Sequence, residues 1–248
     1  MGVLAPMSRA CEREVMAMSD KYIPALGLKW LTPLYDPLIR WAIPEVRLKT
    51  RLIHHAQIAP RHRVLDLGCG TGTLAILLKQ LCPQSEIVGL DGDTKVLDIA
   101  RRKAEIAHVR VTFDLGMAFD LPYPGDSFDR VLSSLVIHHL TAENKERAFK
   151  MVFRVLRAGG RLGILDLGRP FTTYGYLTSL VLRRFEETVE NIRGLLPEML
   201  RRAGFDQVDE PERYRTLFGN LSLYAARKPL FPSSPNPFEP AQESLSNR

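Results

Sequence analysis

Long apolar runs are missing from this chain: nothing approaches the ~20 consecutive apolar residues of a membrane helix, so no transmembrane segment is expected. Arg9, Glu12, Arg13 and Glu14 interrupt the first residues, and no secretory leader is expected. Pro6 spoils the myristoylation pattern after Gly2. Cysteine is scarce. Cys11, Cys69 and Cys82 are an odd set without framework spacing, which argues against a disulfide scaffold and fits free thiols in a reducing, cytoplasmic setting. No grouping of His, Cys, Asp and Glu has metal-ligand spacing, so no metal is expected. Internal repeats are absent too. What is present is ordinary: 248 residues, 45% hydrophobic and 25% charged, suit one domain with an N-terminal extension.

The net charge of +6 is unevenly placed. Six Lys/Arg residues and a single Glu lie between Arg40 and Arg63. Arg47, Arg51 and His55 recur at i, i+4 and i+8, so they share one helical face, beside an apolar stripe of Leu48, Leu52 and Ala56. Such a face is either the solvated outside of a helix lying on a sheet or an attractor for nucleic acid, anionic lipid or an acidic substrate.

The most informative stretch is Val64-Leu65-Asp66-Leu67-Gly68-Cys69-Gly70-Thr71-Gly72, running into the apolar pattern Leu74 to Leu78. It reads as a buried strand, a tight glycine turn and a helix. Glycines at alternate positions let the backbone approach a ligand, and the helix start presents free N–H groups to it. Asp91 lies 19 residues beyond Gly72, at the end of a second apolar strand. A carboxylate about 20 residues past a glycine turn is where nucleotide-binding βαβ units hold a ribose diol. The dinucleotide fingerprint is G-x-G-x-x-G, however, and here the third glycine comes one residue early.

Helices and strands alternate along the chain, the pattern of a parallel sheet covered on both faces. Strands are predicted near 62–67, 86–91, 109–113, 128–133 and 160–166, and helices near 45–58, 73–82, 93–106 and 142–157. Asp93 and Thr141 are N-cap candidates. An amphipathic segment spans 174–193 with Leu177, Val181, Phe185 and Ile192 in phase, and a short helix from about Leu195, with Pro197 in its first turn, ends at Gly204. Final strands are predicted near 206–211 and 215–227. Prolines at 24, 33 and 37 break residues 22–43 into short turns rich in aromatics. The resulting division is an arm and lid segment over 1–44, a domain over 45–228 and a Pro-rich disordered tail over 229–248.

The Asp66–Gly72 turn resembles motif I of the class I S-adenosylmethionine-dependent methyltransferases. Later landmarks resemble that family in order and spacing: Gly116 to Tyr123 after the third strand, Gly125 to Ser134 as acidic turn and fourth strand, and Arg154 to Leu162 as helix end, Gly-Gly turn and fifth strand. The resemblance is to the branch containing ubiquinone and menaquinone C-methyltransferases and covers roughly 45–228. It implies a Rossmann-like α/β fold: a seven-stranded, mostly parallel sheet with helices on both faces and an antiparallel edge strand. It also implies S-adenosyl-L-methionine as cofactor and a small-molecule methyl acceptor, with no nucleic acid as partner.

On that resemblance the cofactor site comprises the turn residues Asp66, Gly68, Cys69, Gly70 and Gly72, then Asp91 and Gly92, Met117 and Ala118, Ser133 and Ser134. Tyr35, in a Tyr35-Asp36 pair like one preceding motif I in relatives, belongs to a segment that closes over the cofactor there. Asp66 orients the methionyl ammonium, Asp91 the ribose hydroxyls, and Gly92 leaves room for adenosine. Met117 stands where the family places an aspartate that accepts from the adenine amine, with Asp120 a nearby substitute. His138-His139-Leu140 resembles the family's run at the end of the fourth strand, which makes His138 and His139 candidate general bases or loop-fixing residues.

No Asn-Pro-Pro-Tyr-like run is present, which argues against methylation of base amines. The reading is therefore methyl transfer to a small, apolar or aromatic molecule. Its rivals are a methyltransferase acting on RNA or protein, favoured by a pI of about 9.3, and a non-catalytic S-adenosylmethionine-binding protein, hinted at by Met117.

Overall fold

The structure, a computed structural model, describes residues 45–176, 188–216 and 219–230. Tyr35, the 22–43 segment, Leu177, Val181, Phe185 and the tail beyond Leu230 lie outside the described residues. The chain order is α1 (Glu45–His55), β1 (Arg63–Leu67), α2 (Thr73–Leu81), β2 (Glu86–Asp91), α3 (Thr94–Ile106), β3 (Thr112–Leu115), β4 (Phe128–Ser134), a 3-10 turn (Ile137–His139), α4 (Ala142–Val155), β5 (Leu156–Leu167), α5 (Val189–Arg193), α6 (Leu196–Arg202), β6 (Asp206–Thr216) and β7 (Gly219–Arg227). These form one seven-stranded sheet in the order β3-β2-β1-β4-β5-β7-β6. β1 to β5 run parallel, and β7 runs antiparallel between β5 and the edge strand β6.

Alternation along the strands divides the core. Val64, Leu132, Leu165 and Leu223 point to the face covered by Leu48 and Leu52 of α1, Leu74 and Leu78 of α2, and Leu97 of α3. Leu65, Val131, Ile164 and Tyr224 point to the opposite face, covered by Phe149 and Val152 of α4 and Leu196 and Leu200 of α6. Each apolar side chain of this size contributes about 1.5–3 kcal/mol on burial, so β1, whose Val64, Leu65 and Leu67 are buried on both faces, sits in the middle of the sheet. The caps follow the sequence: Asp93 accepts from the Lys95 N–H at 2.8 Å and Thr141 from the Asn144 N–H at 3.3 Å.

Several boundaries differ from the sequence reading, among them the last strand, which begins at Gly219 rather than 215. β3 occupies 112–115 rather than 109–113, because His108, with a φ of 52°, and the Val109 N–H bonded to the Ala104 carbonyl close off α3 first. β5 begins at Leu156, not 160, since the Gly159-Gly160 pair is a bulge inside the strand, marked by the shift in register between Phe128 and Arg130. β6 continues to Thr216 past Pro211, which falls at a second register shift on the sheet edge, where a missing N–H costs no ladder bond. Among the described residues no helix is long and apolar enough to cross a membrane.

Two residues of the basic face of α1, Arg51 and His55, are paired with an acidic residue on β6, while Arg47 is exposed. Arg51 donates to both oxygens of Glu212 on β6, at 3.2 and 2.5 Å. His55 meets the same carboxylate at 2.7 Å, and the Tyr214 hydroxyl donates to it. Burial alone would raise the Glu212 carboxyl, but the Arg51, Tyr214 and His55 hydrogen bonds outweigh it and hold it down at about 2 against 4.5. A depressed carboxyl contributes stability above its unfolded value and loses it as pH falls through its folded one. Unfolding followed between pH 4.5 and about 2 is therefore expected to lose this contribution in the wild type, whereas Glu212→Gln flattens that limb and costs about 1–2 kcal/mol at neutral pH.

Candidate active site

β1 and β4 are neighbours, but the helix that follows β1 lies on one face and the helix that follows β4 on the other. The loops leaving their C-terminal ends diverge there, and open α/β sheets bind ligands in that crevice. Gly68, Gly70 and Gly72 all have positive φ, at 70°, 52° and 77°. A Cβ at Gly68 would lie 2.5 Å from the Val136 side chain, whereas at Gly70 it would meet nothing within 4 Å. Gly68 thus packs the turn against the β4 loop, and Gly70 leaves open space above it.

Two carboxylates flank the turn. Asp91 accepts from the Gly70 N–H at 2.9 Å through one oxygen and from the Asp93 N–H at 3.0 Å through the other. Both bonds fix its plane and leave acceptor positions for a pair of hydroxyls. Asp66 is 1% exposed, and its Oδ2 is buried without a partner. Burial pushes its carboxyl up to about 7, against the pull of the Lys49 ammonium and the Ala75 N–H. A buried acceptor lacking a donor beside an open glycine turn fits a ligand that brings a cation, as the ammonium of a methionyl group does.

The remaining sequence candidates fall into separate roles. Cys69 is buried and its thiol is pushed far above its usual value by burial and by Asp66 and Asp91, so it stays neutral. Gly92 lies under Met117, whose sulfur would be 2.7 Å from a Cβ there, and Met117 itself is exposed. Asp120 closes a tight turn onto Met117, donating its N–H to the Met117 carbonyl at 3.0 Å, with Ala118 inside that turn. Ser133 is buried and donates to the Leu67 carbonyl at 3.0 Å, tying β4 to β1, whereas the Ser134 hydroxyl is buried without a partner.

After Ser134 the chain turns sharply through Leu135, with a φ of 60° uncommon for such a side chain, and brings the histidines over the strand ends. His138 Nδ1 lies 2.7 Å from Asp166 Oδ1, at the C-terminal end of β5. The fully buried Asp166 also accepts from the Val136, Ile137 and Leu167 N–H groups at 3.1, 2.8 and 2.7 Å, and from the Asn191 amide at 3.3 Å. A carboxylate on Nδ1 keeps the proton there and leaves Nε2 as the acceptor. His139 stacks at 3.9 Å between ring centroids and is more exposed. Asp166 was not among the residues singled out from the sequence, although Ile164-Leu165-Asp166 repeats the strand-then-carboxylate signal of Asp66 and Asp91. Among the described residues no group of His, Cys, Asp and Glu is placed to hold a metal ion.

Residues 64–160 match the family described as a methyltransferase domain. The ubiquinone/menaquinone biosynthesis C-methyltransferase UbiE of Pasteurella multocida is 30% identical over 219 residues, 79% of this chain and 80% of that protein. The chain belongs to the class I S-adenosylmethionine-dependent methyltransferases. The chain is also 37% identical over 142 residues to the demethylmenaquinone methyltransferase of Thermus thermophilus, a match over 56% of this chain and only 64% of that protein. Among solved structures, the [4+2]-cyclase SpnF superposes with a TM-score of 0.61 at 22% identity, over 75% of this chain and 81% of the other, a likeness of fold.

Two measurements check the cofactor assignments. Asp91→Ala is expected to weaken S-adenosylhomocysteine binding by about tenfold or more in calorimetry, the loss of charge-assisted hydrogen bonds. Affinity of the wild type is expected to fall as pH drops below about 7, with protons released on binding near neutral pH, because the ammonium requires Asp66 ionised. Asp66→Asn should bind weakly and show neither effect; an unchanged pH profile in that variant would assign the dependence elsewhere.

Proposed function

We propose that this methyltransferase moves the methyl group of S-adenosylmethionine to a ring carbon of a small aromatic acceptor of the quinol class. The observation that carries the reading is the His138–Asp166 pair, 2.7 Å apart at the mouth of the crevice between the β1 and β4 loops. The names of the Thermus and Pasteurella relatives supply the acceptor class. When bound, the cofactor provides an electrophilic methyl on a sulfonium, and the chain's own residues do the rest. His138 Nε2 takes the hydroxyl proton of the acceptor, which raises electron density on the adjacent ring carbon as it attacks. Asp166, held by three backbone N–H groups, keeps the imidazole in the required tautomer and orientation. The ring carbon's own proton then passes to water, which restores aromaticity, and the acceptor oxygen takes its proton back from the His138 imidazolium. Cys69, kept neutral, does not compete as a nucleophile.

A macromolecular acceptor is disfavoured because Arg51 and His55 are engaged with Glu212. A binder without turnover remains the second reading, supported by Met117 lying over Gly92 in place of a polar adenine acceptor.

The test is incubation of the protein with S-adenosylmethionine and a demethylated quinol, in parallel with RNA and protein substrates, followed by mass spectrometry. The expected result is one methyl on the quinol ring carbon. His138→Ala should lower kcat by about 10²–10⁴-fold while cofactor affinity holds, and Asp166→Asn should shift the pH–rate profile. Product on RNA or protein alone, or cofactor binding with no product on any acceptor, would overturn the reading.

A further inference from the structure

Strand register sets three arginines side by side on the lower half of the sheet, far along the strands from the glycine turn. Arg130 on β4 is the Cα partner of Arg161 on β5, and Arg161 is the partner of Arg227 on β7. Directly paired residues project from one face, where like charges repel. Arg130 is held in place. Its guanidinium donates to the Ala56, Gln57 and Asp129 carbonyls at 2.6, 2.9 and 2.7 Å. Other cations nearby are matched: Arg157 on Asp129 and Lys228 on Asp126, both at 2.8 Å. Arg161 and Arg227 have no hydrogen bond or ion pair to their guanidinium groups among the described residues, and Nε of Arg227 is buried without a partner. Burial and these two neighbouring cations together pull the Arg130 guanidinium below its ordinary value.

A cavity of about 70 Å³ opens beside the two unmatched side chains, lined by Arg161, Arg227, Gly163, His55 and Asp209. Gly163 contributes no side chain to fill it, and His55 is already committed to Glu212. Asp209 is exposed at the rim and forms no ion pair among the described residues. The space suits a few waters or one small oxyanion. A buried donor with no acceptor is costly, and two guanidinium forks from adjacent strands offer more donors than a single planar carboxylate can use.

We propose that Arg161 and Arg227 form a binding site for a phosphoryl oxyanion, at the opposite end of the sheet from the methyl-transfer crevice. The phosphoryl group comes from free phosphate or a phosphomonoester, or from a lipid headgroup. An anion there offsets the repulsion along the Arg130–Arg161–Arg227 row.

Two arms separate the sources. Calorimetry and thermal unfolding with inorganic phosphate, at ionic strength fixed with chloride, read the free anion. Flotation with phosphatidylglycerol vesicles against phosphatidylcholine vesicles reads the headgroup. Binding in the first arm, or selective binding in the second, is expected to weaken about tenfold or more in Arg161→Gln/Arg227→Gln, with S-adenosylhomocysteine affinity unchanged as the folding control. Asp209→Asn should bind as well or tighter, because it removes the competing carboxylate. Should the double variant not fold, Arg161→Gln alone, which relieves a repulsion, serves in its place. No binding in either arm, or binding that survives loss of the arginines, overturns the site.

Discussion

The reversal of strand order at β1 and β4 is the constraint on which the rest depends. Strands on one side of that point proceed outward through β2 and β3, and strands on the other through β5, so their crossover helices must pack on opposite faces. The loops following β1 and β4 consequently part company, and the gap between them is where unpaired backbone N–H groups and strand-end side chains can meet a ligand. Gly68 is the point at which the two loops touch again, through Val136.

Three strand-end carboxylates share that gap in different states of satisfaction, and the differences assign their work. Asp166 has every approach filled by backbone N–H groups, Asn191 and His138, so its role is to hold other groups still. Asp91 is oriented by two N–H groups but retains acceptor capacity. Asp66 keeps a buried oxygen without a donor, a cost of folding that a bound cation removes. Its raised carboxyl and the depressed one of Glu212 make opposite contributions with pH, the first eroding stability as pH rises and the second as it falls. The fold is therefore locally destabilised at Asp66 beside the glycine turn, and the α1–β6 clamp stabilises the frame elsewhere.

The [4+2]-cyclase SpnF shares this fold, so the fold by itself does not specify a reaction. Acceptor chemistry has to be argued from the His138–Asp166 pair and its surroundings. Charge placement on the far side of the sheet obeys different rules. Arg51 and His55, which a helical projection groups with Arg47 as one basic face, are neutralised across the sheet by Glu212. Arg161 and Arg227, unremarkable in sequence, have no partner to their guanidinium groups among the described residues.

The sequence by itself determined the order of elements, the glycine turn and two of the three site carboxylates. Those features depend on local matters: apolar periodicity, glycine where φ is positive, and a carboxylate at a strand end. β3, β5 and β6 had their ends placed a few residues off because a helix terminus at His108, a bulge at Gly159 and an edge position for Pro211 are set by neighbouring strands. Only the tertiary structure decided which histidine is held by a carboxylate. His138 and Asp166 are 28 residues apart in the chain and become partners because β4 and β5 are adjacent and parallel. Likewise Glu212 meets Arg51 across 161 residues, and the arginine row exists only through register. Contacts of that range are fixed by strand pairing, which sequence periodicity places on a face but not beside a particular neighbour.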